Sequence, residues 1–309
     1  MKIALRPTPG VPRALRGLPN RTATTVMRPW EWAMPSQPEQ LQIISAVPDG
    51  WETTPRQERR PPLLFVHGAC GAAWTFAEYW LGAAVRRGYP AHAVSLRGHG
   101  GSGGRDRLHR TVLRDYVADV MQAITLLPQP PVLIGHGMGS LVVQLVLERY
   151  PARAGVLVSP VPAYGVQGNL LARLRDSPRA SVGALLSRRL PPQPELMFCS
   201  LDGHTGTAYL QRMGRESPLV LLQLGMSHAI GPVYSPIAVV GCREDAVVRP
   251  TDVWHTADMY GVRPIWLPGA GHLVMLDSSH SVGLDIILDW VDEQAPIAAP
   301  AAGPGALQR

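Results

Sequence analysis

Five short segments of this 309-residue chain combine glycine with chemically active side chains: HGACGAAW (67–74), RGHGGSGG (97–104), GHGMGS (135–140), CREDAVVRP (242–250) and GAGHLVMLD (269–277). Two of them hold the parts of an acid–base pair. A base working near neutral pH is best supplied by an imidazole whose second nitrogen is held by a carboxylate. His272 and Asp245 fit those roles, with Glu244 as the rival acid. GHGMGS follows the apolar run PVLI and precedes LVVQLVLERY, a pattern that reads as strand, tight turn and helix. The residue in the middle of that turn is Gly137, and glycine tolerates a tight turn freely.

The elements that position these segments follow from hydrophobic patterning. Strands are expected at 41–47, 62–66, 91–96, 131–134, 155–159, 237–241 and 264–268. Helices are expected through FAEYWLGAAVRRG, over 111–127, from about Met138 to Tyr150, near 251–260 and through VGLDIILDWVDE. Apolar strands that do not alternate with polar residues, each followed by a helix, imply an α/β fold with a mostly parallel sheet covered on both faces. Open sheets of this kind bind ligands at the carboxyl ends of their strands, and each of the five segments lies at such an end.

The same pass divides the chain. Residues 1–40 read as a basic, proline-rich arm and 295–309 as a disordered Pro/Ala/Gly tail. Residues 41–159 and 236–294 form the core, and 160–235 an inserted, mainly helical cap. The net charge of +6 is carried by Lys2, Arg6, Arg13, Arg16, Arg21 and Arg28, and the remaining residues balance. The body therefore lacks the basic patch that nucleic-acid recognition requires, and no nucleic-acid partner is expected. An anionic partner for the arm, or for cap residues Arg173, Arg175, Arg179, Arg188 and Arg189, competes with a plain solvated surface. No apolar run reaches the roughly 20 residues of a membrane span, and Pro7, Pro9, Pro12 and Pro19 break any secretory apolar stretch. Cys70, Cys199 and Cys242 are scattered, as expected of free thiols in a reducing cytoplasm. No metal-ligand spacing, dinucleotide fingerprint or phosphate loop appears, so neither metal nor cofactor is expected. The oligomeric state is left open.

Taken together, the five segments resemble the α/β-hydrolase superfamily, in its cap-bearing branch of small-molecule esterases, lactonases and carbon–carbon hydrolases. The resemblance covers about residues 60–294. It implies that His67-Gly68 presents the Ala69 N–H as one half of an oxyanion hole, with the Met138 N–H as the other. It further implies that GHGMG is the nucleophile elbow, with Gly137 at the serine position, and that Asp245 and His272 follow it in the family order. Ser140, one turn inside the helix, should face the core. Cys70 is a wall of the pocket or a substitute nucleophile, His204 a substrate contact, and His67 and His136 packing residues.

Three readings follow. An enzyme could use the His272–Asp245 pair for non-covalent proton transfer, hydrolysis, elimination or cyclisation on a small ester, lactone or carbonyl substrate. A serine hydrolase could have been inactivated by Ser→Gly at 137. A pseudoenzyme could simply enclose a small ligand.

Overall fold

The computed structural model describes residues 38–55, 58–165 and 193–295. The expected N-terminal arm up to residue 37, the tail from residue 296, and Arg173, Arg175, Arg179, Arg188 and Arg189 lie outside the described residues.

Strand β2 (Leu63–Val66) shows why the sheet strands read as unbroken apolar runs. Successive side chains point to opposite faces, yet all four are fully buried. Leu63 and Phe65 pack with Phe76, Trp80 and Leu284. Leu64 and Val66 pack with Val117, Leu141 and Val253. The two layers are helices α1 (Trp74–Ala77), α2 (Trp80–Arg86) and α8 (His280–Gln294) on one face, and α3 (Leu113–Thr125), α4 (Met138–Leu147) and α7 (Pro250–Met259) on the other.

The remaining strands are β1 (Gln42–Ala46), β3 (Ala91–Ser95), β4 (Val132–His136), β5 (Ala154–Val158), β6 (Ile237–Cys242) and β7 (Ile265–Leu267). They form one seven-stranded sheet in the order β1-β3-β2-β4-β5-β6-β7. Every pairing is parallel except that of edge strand β1, which runs antiparallel to β3 with Gln42 opposite Ser95. After β3 the chain crosses β2 to begin β4. The reversal of strand order therefore lies between β2 and β4, where ligands gather in open sheets.

The helix expected through FAEYWLGAAVRRG is two helices. The break falls at Tyr79, whose φ of −135° leaves the helical region. Between β5 and β6 the described residues hold α5 (Gly203–Arg212) and α6 (Pro218–Leu224). Asp202 caps α5 by accepting from the Thr205 N–H at 2.9 Å, and Ser217 caps α6 ahead of a proline at its first position. Met197, Phe198, Tyr209 and Met213 are buried here, as apolar spacing suggests. Leu222 and Met226 face outward at 65% and 49% exposure.

The turn between β4 and α4 is set by crowding. A Cβ on Gly139 would lie 2.6 Å from the His67 carbonyl oxygen, and one on Gly135 2.7 Å from Ser140 Cα. Both glycines are therefore required by close approach of backbone to backbone. Gly137 is different. Its φ of 52° and ψ of −118° are strained for a side-chain-bearing residue, yet a Cβ there would meet nothing nearer than 3.7 Å. We expect Gly139→Ala to lose about 3 kcal/mol through overpacking and Gly137→Ala about 1 kcal/mol through backbone strain alone. Urea unfolding of the two variants measures that order, and the reverse order would contradict this account of the turn.

Candidate active site

Three strand ends converge at the reversal of strand order. β2 delivers His67, Gly68 and Ala69, β4 delivers Gly137 and Met138, and the turn after β7 delivers His272. The position of a Cβ on Gly137 lies 3.7 Å from His272 Nε2 and 3.8 Å from Gly68 Cα. The other ring nitrogen of His272, Nδ1, is 3.0 Å from Asp245 Oδ2. Asp245 follows β6, and its second oxygen accepts the N–H groups of Val247 at 2.7 Å and Val248 at 2.9 Å. Burial opposes ionisation of Asp245. The neighbouring imidazole and these hydrogen bonds outweigh it and bring the carboxyl down to about 2. An ionised Asp245 fixes the His272 proton on Nδ1 and leaves the Nε2 lone pair directed to the Gly137 side.

Glu244 is not the partner of His272. Its carboxylate accepts the Ala270 N–H at 3.0 Å and braces the turn that carries the histidine. A second brace is Asp277, fully buried, which accepts N–H groups from Gly271 at 3.0 Å, Cys199 at 2.7 Å and Ser278 at 2.8 Å. Asp277 escapes sequence reasoning because its ligands are backbone groups, although its place five residues beyond His272 in an otherwise apolar stretch is a signal.

The other expected residues are placed as follows. His67 Nε2 accepts the Leu96 N–H at 3.0 Å, so its proton sits on Nδ1 and is donated to the Gly68 carbonyl at 2.8 Å. His136 Nε2 donates to the His272 carbonyl at 2.8 Å. Burial pushes both rings down to about 3, so they are neutral structural groups. Ser140 is fully buried and donates to the Gly137 carbonyl at 2.6 Å, as expected for a core position. His204 lies exposed in the first turn of α5, with no described contact to His272 or Gly137. The N–H groups of Ala69 and Met138 donate to no described group.

Cys70 is buried and has a φ of 63°, unusual for a residue with a side chain. Residues 214–216 hold it from both sides. The Gly214 N–H donates to the Cys70 carbonyl at 2.7 Å, and the Cys70 N–H donates to Glu216 Oε2 at 3.2 Å. Glu216 also accepts from Tyr116 Oη at 2.5 Å and lies 3.3 Å from His99 Nε2. Desolvation works against charge on both members of this buried pair, and their mutual attraction prevails. His99 is raised and Glu216 lowered, each by the attraction of the other.

Comparison with known proteins places the chain in a family. The profile described as "Alpha/beta hydrolase family" matches residues 63–282. The chain belongs to the alpha/beta hydrolase family. A monoacylglycerol lipase of Mycolicibacterium smegmatis is 24% identical over 271 residues, covering 80% of this chain and 93% of that protein. Methylesterase 10 of Arabidopsis thaliana is 31% identical over 105 residues, 33% of this chain, and the match spans only 37% of the plant protein's length. Among solved structures, a proline iminopeptidase-related protein from Thermus thermophilus superposes with a TM-score of 0.63 at 22% identity, covering 85% of this chain and 97% of that one. An enol-lactonase from Burkholderia xenovorans superposes at 0.58 with 15% identity, covering 82% and 96%. No helix among the described residues is long and apolar enough to cross a membrane.

Because the folded state lowers the Asp245 carboxyl, its contribution to stability is complete above the unfolded value near 4 and disappears as pH falls towards 2. The shift corresponds to about 2 kcal/mol. The stability difference between the native protein and Asp245→Asn should therefore shrink by most of that amount between pH 6 and pH 2.5 in urea titrations. A difference that stays constant with pH would contradict the assignment of an ionised Asp245.

Proposed function

We propose that the protein is a hydrolytic enzyme acting on a small ester, lactone or related carbonyl compound, with His272 and Asp245 performing proton transfer directly and no covalent serine intermediate. The observation that carries this reading is the placement of His272 Nε2, 3.7 Å from the Cβ position of a residue with no side chain, while Nδ1 is held by Asp245. A water oxygen, or an acidic group of the substrate, at the place a serine hydroxyl would occupy is within reach of that lone pair. The names of the relatives, a methylesterase, a monoacylglycerol lipase and an enol-lactonase, support an ester or lactone as the substrate class.

In the hydrolytic form of the reaction, His272 Nε2 takes a proton from water as the water oxygen forms a bond to the carbonyl carbon. The carbonyl π electrons move to oxygen, and the N–H groups of Ala69 and Met138 receive that oxyanion, the second at the start of helix α4. Collapse breaks the bond to the leaving alkoxide, which recovers the proton from His272. The same base serves elimination or cyclisation when the proton it removes belongs to the substrate. Losing a serine nucleophile costs a conventional hydrolase about 10⁶ in kcat, leaving about 10³–10⁴ over water from binding and the oxyanion site. Turnover of a simple ester should accordingly be slow.

One feature favours a second reading, a serine hydrolase silenced by Ser→Gly. The turn at Gly137 keeps a strained backbone and room for a side chain, both superfluous to a glycine. A pure ligand-binding protein has less support, because it would gain nothing from the His272–Asp245 pair.

With p-nitrophenyl acetate and a panel of lactones, the native protein should show progress curves without an initial burst. His272→Ala should lower kcat about 10²–10⁴-fold. Turnover unaffected by His272→Ala, or a stoichiometric burst from the native protein, would overturn the non-covalent reading. A native protein inert to the whole panel, joined to a Gly137→Ser variant that shows a burst and fast turnover, would establish the second reading in its place.

A further inference from the structure

A cavity of about 720 Å³ lies between the loop after β3, the Gly71–Trp74 segment and the end of α5. Neither Gly137, Asp245 nor His272 lines it. Its volume is that of a pocket for an organic molecule of moderate size. Its floor is preformed, since His99 in its lining pairs with Glu216 and both side chains are almost wholly buried.

The charge on its walls departs from that of the body. Arg105, Arg212, Arg215 and His109 line it against a single carboxylate, Asp106, although residues 31–309 as a whole carry equal numbers of acidic and basic side chains. The three arginines are not equivalent. Arg212 is compensated, with Nη1 3.2 Å from Glu78 Oε2 and Cζ 3.8 Å from the ring of Trp74. Together they make a flat, partly apolar wall. Arg105 donates Nη2 to the Gly100 carbonyl at 2.7 Å, which orients its guanidinium without neutralising it. The Arg215 side chain has no hydrogen bond or ion pair among the described residues. Planar guanidinium groups of this kind recognise carboxylate and phosphate oxygens through paired N–H donors.

We propose that this cavity binds a small organic oxyanion, a carboxylate or a phosphate ester, separately from the His272 centre. Arg105 and Arg215 hold the anionic group, and the Trp74–Arg212 wall receives the flat or apolar body of the ligand. The chain then carries two sites, and this one stands whether or not His272 proves catalytic.

Titration calorimetry on the full chain tests this with three probes of matched shape: benzoate, phenyl phosphate and neutral benzamide. At least one anion should bind ten-fold or more tighter than benzamide, and whichever is tighter identifies the oxyanion class. Arg215→Ala and Arg105→Ala should each weaken that anion about ten-fold, and added salt should weaken it further. Arg215 is exposed, so its variant should unfold at the native temperature. His272→Ala should leave the affinity unchanged. The proposal is overturned if benzamide binds as well as both anions, if neither anion binds below 10 mM (a threshold of about 2.7 kcal/mol), or if binding responds to His272→Ala and not to Arg215→Ala.

Discussion

Backbone packed against backbone at the β4–α4 turn is the constraint on which the rest of this structure depends. Helix α4 begins one residue beyond its strand, so its first turn must pass the end of β2 at a distance that excludes even a methyl group at Gly139. That contact places the N–H of Met138 beside the strand end that bears Ala69. It also aims residue 137 at the ring of His272, whatever side chain residue 137 carries. Two glycines make the turn possible, and the third stands where the turn points. The geometry of the turn therefore does not depend on the side chain at position 137.

Electrostatics separates the histidines clustered around this turn. His67 and His136 are buried, hydrogen-bonded to backbone and depressed to about 3, so neither gains a proton in the ordinary pH range. His99 is buried as deeply but faces Glu216, whose attraction raises it while the ring lowers the carboxyl. His272 alone of the four is bonded to a carboxylate on one side while its other nitrogen faces Gly137. Four rings of the same kind thus acquire different chemistry from their partners, consistent with the general rule that a carboxylate or a backbone carbonyl sets the state of an imidazole.

Most of the sheet could be read in the chain, because strands buried on both faces must be continuously apolar, and LLFV, VLIGH and IAVVGC are. The pairing of Asp245 with His272 was legible for a related reason, since glycine-rich ends of parallel strands meet at one edge. Less legible were the elements between β5 and β6. Helices α5 and α6 are short, and their signals are a capping Asp202 and the Ser217-Pro218 start rather than a long periodic face. Glu216 was invisible, because a glutamate between an arginine and a serine looks solvated. Only three-dimensional contact with Tyr116, His99 and Cys70 reveals that it is wholly enclosed.

That enclosed glutamate has a mechanical consequence. It belongs to the excursion between β5 and β6, but its partners sit on α3, on the loop after β3 and on the segment after β2. A hinge opening at residues 214–216 would break its bonds to all of them at once and leave the buried His99 ring and Tyr116 hydroxyl without their partner. This corner of the excursion is consequently riveted to the sheet. A displacement of this segment therefore has to pivot around the rivet rather than lift it.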